Sequence, residues 1–504
     1  MLACALPRTR MQSGTLLAAV DLGSNSFRLE IGRLEHGQIQ RVEYLKETVR
    51  QGSGLDEARN LSVDAMERGW ACLARFAERL AGFRPRQVRA VATQTLREAR
   101  NREVFLARAR EILGFPIDVI SGREEARLIY QGVGHLLPQS DEKRLVVDIG
   151  GRSTELILGR HAQAEVMESY RVGSVAWSMR YFPEGQFTPA AFERAEIAAQ
   201  AVLDEALTAY AAGSWDMAYG SSGTIGAVAD VLSASGQGEG VITRQGLDWL
   251  LAQLVQARSA DRVRLPALKD DRRPVLGGGL SVLRAVFSLL GIERMQPAEG
   301  ALRHGVLYDM LDREHADTDV RTTTVHRLAG KFGADRAQAE RVGRVAGVFL
   351  RQLRPTDPPP ELQRHVRKLE WAARLHEIGS LISHSDHHKH GAYILDNADA
   401  PGFSQPELHR LSLLVLGHRG KLRKLEADFE DVLFVHQLLC LRLAVILCHA
   451  RRDPELRDMR LSAEGHGFRL EVAPSWPAAW PQSAHLLREE TTAWQKTPWQ
   501  FALA

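Results

Sequence analysis

The sequence predicts an α/β protein in which two similar lobes precede a helical half. Residues 16–310 alternate short apolar runs with stretches of helical periodicity, and the strand signal fades after about residue 312. Segments 19–24 and 146–151 also open alike, each with an apolar strand, an aspartate and a glycine-containing turn. An internal duplication is the simplest interpretation of this repeat. It predicts two α/β lobes whose loops face each other across a cleft.

Chain length favours several domains, because 504 residues are too many for one hydrophobic core. The composition is that of an ordinary globular protein, with 44% hydrophobic and 25% charged residues. We expect an N-terminal extension at 1–15, a first lobe at 16–135, a second lobe at 136–312, a helical domain at 313–430 and a small α+β C-terminal domain at 431–504.

Cysteine usage and the N-terminus favour a cytoplasmic protein. Four cysteines (Cys4, Cys72, Cys440 and Cys448) form neither a disulfide framework nor a close zinc-binding pair. The first ten residues carry arginines after their apolar stretch, the reverse of a secretory signal, and Met11 is an alternative start. No apolar run approaches the roughly 20 residues of a membrane helix. The net charge of +3 fits an anionic substrate without requiring one.

The first lobe is predicted from alternating strand and helix signals. Strands are expected at 16–21, 27–34, 39–49, 88–93 and 117–120. A helix near 62–82 has one apolar face, a second helix runs from a cap at Asn101 to Gly114, and a third begins near residue 123.

The same strand and helix signals predict the elements of the second lobe and of the C-terminal half. Strands at 145–148, 155–158 and 216–219 and helices near 189–211 and after Gly223 are expected in the lobe. Residues 322–455 are predicted to be helical, with a break at the proline-rich segment 354–360. A hairpin at 461–472 and a tryptophan-rich tail that packs on the body complete the chain.

Both glycine-containing loops have the pattern of a phosphate cradle. Backbone N–H groups in such turns point into one concavity, and an aspartate at the strand end can hold Mg²⁺ directly or through water. The first loop contributes Asp21, Gly23, Ser24, Asn25 and Ser26. The second contributes Asp148, Gly150, Gly151, Arg152, Ser153 and Thr154. One such loop is a common turn, but two in the register of a duplication indicate phosphate binding.

Further acids are placed to face this cleft. Glu155 lies on the strand leaving the second loop, where alternation can return its side chain toward Asp148. Glu124 and Glu125 open a helix where the chain passes between the lobes. Acidic residues in a first turn also offset the helix dipole, and that alone could account for both.

Six motifs closely resemble the bacterial exopolyphosphatase and guanosine-pentaphosphate phosphohydrolase family. They occur in the family's order at 18–27, 93–97, 121–127, 148–155, 220–224 and 299–303. Segments 371–379 and 390–395 resemble the helical half of its longer members. The resemblance implies an actin-like ATPase fold, two ribonuclease-H-like lobes with the active site between them, and Mg²⁺-dependent hydrolysis of a terminal phosphoanhydride.

The resemblance also implies roles for individual residues. Glu125 matches the general base, and Asp148 and Glu155 match the metal-site acids. Arg97 matches an arginine that faces the phosphate. The two loops match the phosphate cradle, and Gly223 and Thr224 match a third loop on the phosphate side.

Arg152 departs from the family's pattern, which has a third consecutive glycine there. If this position requires a positive φ, arginine costs on the order of 1 kcal/mol. Alternatively, its guanidinium adds a phosphate contact. The sequence leaves both alternatives open.

Inorganic polyphosphate and guanosine pentaphosphate (pppGpp) both fit one cleft. Basic residues of the helical half favour polyphosphate, because a long polyanion needs a basic track. The candidates are Arg364, Arg367, Lys368, His387, His388, Lys389, His390, His418, Arg419, Lys421, Arg423 and Lys424. A kinase of the same fold, a non-catalytic polyphosphate- or nucleotide-binding regulator and an RNA-binding role are weaker alternatives. A homodimer is expected, and no specific nucleic acid partner is.

Segment 375–379 resembles the His-Asp core of metal-dependent HD phosphohydrolases. Glu377 stands where that core has its aspartate, and the nearby histidines have no clean metal-ligand spacing. The sequence therefore predicts an HD-like helical domain without its metal.

Overall fold

The computed structural model describes residues 12–138, 140–238, 240–313 and 317–504. These residues form two compact units, one ending at Thr318 and the other beginning at Asp319. Residues 1–11, which include Cys4, Met11 and most of the predicted extension at 1–15, lie outside the described residues.

The first lobe is built on a five-stranded sheet in the order β3-β2-β1-β4-β5. Its strands are β1 (Leu16–Leu22), β2 (Phe27–Glu35), β3 (Gln38–Glu47), β4 (Val88–Ala92) and β5 (Ile117–Val119). Its helices are α1 (Val63–Arg79), α2 (Gln94–Glu98), α3 (Arg102–Leu113) and α4 (Gly122–Leu136). The central strand β1 pairs antiparallel with β2 and parallel with β4. The five strands predicted here are confirmed.

Asn101 does not cap α3 in the predicted way. It occupies the N-cap position, but its side chain makes no capping hydrogen bond. Its Oδ1 accepts from the Leu61 backbone N–H at 2.9 Å, and its Nδ2 donates to the Leu61 carbonyl at 3.0 Å. The amide therefore joins the start of α3 to the segment before α1.

The second lobe repeats this arrangement in a six-stranded sheet, in the order β10-β11-β9-β6-β7-β8. Its strands are β6 (Arg144–Ile149), β7 (Thr154–Arg160), β8 (Gln163–Tyr170), β9 (Met217–Ser221), β10 (Ile242–Thr243) and β11 (Arg294–Pro297). Its helices are α5 (Ser174–Tyr181), α6 (Pro189–Leu203), α7 (Ala206–Ala209), α8 (Ser222–Ala234), α9 (Arg244–Ala257), α10 (Arg273–Leu290) and α11 (Leu302–Asp312). Strand β6 pairs antiparallel with β7 and parallel with β9, as β1 does with β2 and β4.

One helix of this lobe differs from its prediction. The single helix predicted at 189–211 is interrupted after Leu203 and continues as α7.

In the described part of the chain, the segment Asp270–Leu290, which contains α10, is the one helix with the length and hydropathy to cross a membrane. Most of it is buried in this fold, with Leu280, Leu283 and Val286 in the lobe's core. Core helices of this kind pass the same length and hydropathy test.

Helices α4 and α11 pack closely enough to fix the position of Glu125 at the start of α4. Gly305 of α11 lies directly on the carbonyl oxygen of Leu128, where a Cβ atom would overlap that oxygen. Further along, Asp309 of α11 pairs with Arg127 of α4 and with Arg89 of β4. Backbone contact and buried ion pairs therefore hold the two helices together.

The unit beginning at Asp319 is largely helical. Its helices are α12 (Val320–Lys331), α13 (Arg336–Leu353), α14 (Pro359–Leu375), α15 (His387–Asn397), α16 (Gln405–Gly417), α17 (Val432–Leu447), α18 (Trp476–Ala479) and α19 (Pro481–Trp494). A three-stranded sheet consists of β12 (Arg460–Glu464), β13 (Gly467–Glu471) and β14 (Gln500–Leu503).

One hydrophobic cluster unites this unit. It includes Val325 near the start, Phe434 in α17, and Trp494 and Trp499 from the tail. The cluster contains side chains from both sides of the domain boundary predicted at 430/431. The predicted hairpin is confirmed, and the chain end adds β14 parallel to β13.

Candidate active site

A cavity of about 380 Å³ lies where the loops of the two lobes meet. The predicted site residues that line it are Asp21, Gly23, Ser24, Asn25, Ser26, Glu125, Asp148, Gly150, Gly151, Ser153, Gly223 and Thr224. The two loops also touch each other, because a Cβ atom on Gly151 would lie 3.0 Å from the Cβ of Ser24. Strands β1 and β6, which both end at this cavity, bring together segments separated by more than a hundred residues.

Four predicted site residues are absent from the described cavity lining: Arg97, Arg152, Thr154 and Glu155. Thr154 is fully buried and its hydroxyl donates to the Val172 carbonyl at 2.6 Å, so in this structure it supports the loop from outside the cavity lining. Arg97 donates to Glu125 Oε2 at 2.7 Å and to the Ile120 carbonyl at 2.9 Å. In this structure the guanidinium of Arg97 therefore contacts the carboxylate of Glu125 from outside the cavity lining.

Arg152 stands where the family's pattern has a third glycine, and the structure shows both its backbone conformation and its side-chain partners. The φ angle of Arg152 is not positive, so its backbone carries no left-handed strain. Its Nη1 donates to the Gly52 carbonyl at 3.0 Å, and its Nε lies 3.2 Å from Glu98 Oε2. In this structure the side chain connects the second loop to the first lobe, and its contact with phosphate stays a prediction.

The duplicated strand pairs carry different charges at equivalent positions. Asp21 faces Arg28 across β1 and β2, and Arg28 Nη1 donates to Asp21 Oδ2 at 3.0 Å. Asp148 faces Glu155 across β6 and β7. Directly opposed residues on one face lie roughly 5 Å apart at their Cβ atoms. The first lobe thus places an ion pair where the second lobe places two acids.

Burial raises the pKa of three acids of the site, Glu125, Asp148 and Glu155. It brings the pKa of Glu125 to about 7, with Arg97 opposing the shift and the charges of Asp21 and Asp148 adding to it. The pKa of Asp148 is raised to about 6, mainly by burial. Burial, together with the charges of Glu125 and Asp148, raises the pKa of Glu155 well above its ordinary value. Such a concentration of buried acids is typical of functional sites.

Two oxygen atoms of this group fit a divalent cation. Asp21 Oδ1 and Glu155 Oε2 are buried and accept no hydrogen bond from the described residues. The described residues contain no group of three or more His, Cys, Asp or Glu side chains around one metal position. Mg²⁺ usually takes only one or two carboxylates and completes its octahedron with water and substrate phosphate. Of the two predicted metal ligands, Glu155 has such an oxygen and Asp148 lines the cavity, so the pair is compatible with that mode.

Five basic residues that the sequence analysis did not assign to the site also line the cavity: Arg28, Lys46, Lys269, Arg272 and Arg303. Arg272 packs directly on Gly223, where a Cβ atom would overlap its guanidinium. The pKa of Lys46 is lowered by burial and then by the charge of Arg272. Cations held this close together favour binding of an anion between them.

Only some of these cations were recognisable from the sequence. Arg28 occupies the position in the first repeat that Glu155 occupies in the second. Arg303 ends the motif at 299–303. Lys46, Lys269 and Arg272 lie outside every repeat and motif, so no local signal marks them.

In the helical unit, three members of the predicted basic track are buried. The exposed fractions of His387, His388 and His418 are 7%, 7% and 2%. Burial lowers the pKa of His388 to about 4 and that of His418 well below its ordinary value. His388 and His418 are therefore neutral near pH 7 and add no charge to a track.

Comparison with known proteins places these features in context. The family model described as "Ppx/GppA phosphatase family" matches residues 31–314, and "Ppx/GppA phosphatase, domain III" matches residues 320–491. The guanosine-5'-triphosphate,3'-diphosphate pyrophosphatase of Pseudoalteromonas translucida (strain TAC 125) is 38% identical over 487 residues, 96% of this chain and 97% of that protein.

Solved structures share the fold of the two lobes. The exopolyphosphatase from Cytophaga hutchinsonii ATCC 33406 matches with a TM-score of 0.54 and 23% identity, over 59% of this chain and 98% of its own. The Aquifex aeolicus member of the Ppx/GppA family matches with a TM-score of 0.51 and 24% identity, over 60% and 99%. These likenesses support the mixed α/β, actin-like lobes.

Proposed function

Since the chain belongs to the Ppx/GppA phosphatase family and is therefore a phosphoanhydride hydrolase, we propose that it removes the 5′-terminal phosphate of guanosine pentaphosphate. The observation that carries this choice is the 38% identity, along nearly the whole chain, to a protein named for that nucleotide. Since the similarity covers both units, it supports a common substrate as well as a common fold.

Inorganic polyphosphate is the second candidate, favoured by the basic residues of the helical half. Its support is weaker than the sequence alone indicates, because His387, His388 and His418 are buried. Lys389, which remains exposed, lies 3.1 Å from Asp386 and is partly neutralised. The predicted homodimer and cytoplasmic location stay predictions.

The proposed reaction uses positioning and charge more than covalent chemistry. The loop N–H groups and the cations Arg28, Lys46 and Arg272 would bind the phosphate oxygens. Glu125 would accept a proton from the attacking water, which requires a carboxylate within hydrogen-bond reach of that water. Mg²⁺ held by Asp148 and Glu155 would neutralise charge on the transferred phosphoryl group.

The pKa of Glu125 predicts an acidic limb in the pH profile. A base works only when deprotonated, so kcat/KM should fall by about tenfold per pH unit once the pH drops below the pKa near 7. The measurement is orthophosphate release from guanosine pentaphosphate between pH 5 and 9 at saturating Mg²⁺. A profile that stays flat down to pH 5 would contradict the assignment of the base.

Substrate choice is tested by phosphate release from guanosine pentaphosphate and from long-chain polyphosphate at equal terminal-phosphate concentration. We expect kcat/KM to be at least about tenfold higher for the nucleotide. Glu125→Gln, prepared in parallel, measures release by any contaminating phosphatase. Preference for polyphosphate would overturn the main proposal and leave the family and fold unchanged.

A further inference from the structure

A continuous series of polar side chains runs behind Glu125 from one lobe to the other. We propose that Gln94, Glu98 and Arg152 are positioning residues that hold Arg97 against Glu125 and connect this contact to the second glycine loop. The proposal rests on the proposed role of Glu125 as the base.

Arg97 is fixed by three acceptors. Its Nη1 donates to Glu125 Oε2 at 2.7 Å and to the Ile120 carbonyl at 2.9 Å. Its Nε and Nη2 donate to Gln94 Oε1 at 3.1 and 2.6 Å. Gln94 therefore holds the side of the guanidinium that faces away from the base, and it determines how the group is rotated.

The chemistry of the neighbours fixes the orientation of the Gln94 amide. A guanidinium only donates hydrogen bonds and a carboxylate only accepts them. Gln94 Oε1 must then face Arg97, and its Nε2 donates to Glu98 Oε1 at 2.6 Å. The exposed fraction of Gln94 is 6%, so water has little access to replace its hydrogen bonds to Arg97 and Glu98.

Glu98 connects this group to the second lobe. Its Oε2 lies 3.1 Å from Arg152 Nη2 and 3.2 Å from Arg152 Nε. Arg152 Nη1 also donates to the Gly52 carbonyl at 3.0 Å, and Gly52 in turn donates its N–H to the carbonyl of Ser24 in the first loop at 2.7 Å. Both phosphate loops are thus attached to the same series of contacts.

Releasing Arg97 should change the charge balance at Glu125. The charged groups that act on Glu125 are Arg97 from α2, Asp21 from β1, Asp148 from β6 and Glu155 from β7. Arg97 is the one cation among them and opposes the shift caused by burial. Without a fixed Arg97, the pKa of Glu125 should rise. The acidic limb of the pH profile should therefore move to higher pH.

The test is Gln94→Met, which keeps the length of the side chain and removes both hydrogen-bonding ends. We expect the acidic limb of kcat/KM for guanosine pentaphosphate to move up by about one pH unit, and kcat at pH 7 to fall by about fivefold, as the deprotonated fraction of the base decreases. KM at pH 9 should change by less than about twofold, because Gln94 does not line the cavity.

Gln131→Met is the matched control. Gln131 is also buried and joins an arginine to a carboxylate, accepting from Arg127 Nη1 at 3.1 Å and donating to Asp312 Oδ2 at 2.6 Å. Both variants should lose stability, but only Gln94→Met should move the limb. Equal limb positions in the two variants and the wild type would overturn the proposal.

Arg152→Met tests whether the series extends to the second loop. Combined with Gln94→Met, it should add less than about 0.3 pH units to the shift of the single variant, because both changes act through Arg97. Fully additive shifts would overturn the link. If Glu125→Gln keeps the turnover of the wild type, the base assignment and this proposal both fail; if its turnover is lost but the acidic limb of Gln94→Met is unmoved, only this proposal fails.

Discussion

Replacing Glu125 with glutamine is expected to lower kcat by at least about a hundredfold, because the side chain keeps its shape but can no longer accept a proton from water. KM for guanosine pentaphosphate should change by less than about threefold, since the glycine loops and the cations that bind phosphate stay in place. Steady-state phosphate release, with nucleotide affinity measured separately by calorimetry, distinguishes the two quantities.

The neighbouring glutamate provides the control. Glu124 is fully buried, and both of its oxygens accept from Arg127 at 2.8 Å. Glu124→Gln should therefore destabilise the fold while preserving turnover per folded molecule. Similar losses of turnover in both variants would mean that the first turn of α4 is required as a structure, and Glu125 would lose its assignment as the base.

Replacing Asp309 with asparagine is expected to lower the free energy of unfolding by about 3–5 kcal/mol, because it leaves buried arginines without their counter-charge. Asp309 accepts from Arg127 Nη2 at 2.6 Å and from Arg313 Nε at 2.7 Å, and it also pairs with Arg89. Burial alone would raise its pKa, but Arg127, Arg313 and Arg89 together hold that pKa well below its usual range. The contribution is therefore complete at neutral pH and is lost only in strong acid.

Urea denaturation of Asp309→Asn measures this loss. Asp312→Asn is the control from the same helix, since Asp312 accepts from Gln131 and has its pKa raised by burial. The control should change the free energy of unfolding by less than about 1 kcal/mol. An equally small effect for Asp309→Asn would show that the arginines find other partners or water.

The strands and the two phosphate loops could be predicted because their signals are local. An apolar run, an aspartate and a glycine turn lie within ten residues of each other, and the duplication repeats them. Asp21 and Asp148 were therefore recognisable, and family resemblance selected Glu125 over Glu124. The cations Lys46 and Arg272 could not be found this way, because they reach the cavity from separate strands and turns.

Other assignments rest on residue type alone, and the structure gives these side chains partners or surroundings that the sequence does not indicate. Thr154 belongs to a phosphate-loop motif, but the register of β7 turns its hydroxyl toward Val172. The partners of Arg152, Glu98 and Gly52, lie 54 and 100 residues away in the chain, so no local signal predicts them. His388 and His418 were counted as basic, although burial keeps them neutral.

The unequal charges of the duplicated strand pairs give the cleft a direction. Asp21 and Arg28 nearly cancel in the first lobe, whereas Asp148 and Glu155 leave the second lobe with two adjacent acids. The two strand pairs therefore differ in charge, although the two lobes repeat one strand pattern. An elongated anion would meet different charges at these two positions in its two orientations. A difference at one pair of repeated positions, Arg28 and Glu155, thus makes a duplicated cleft unequal in charge.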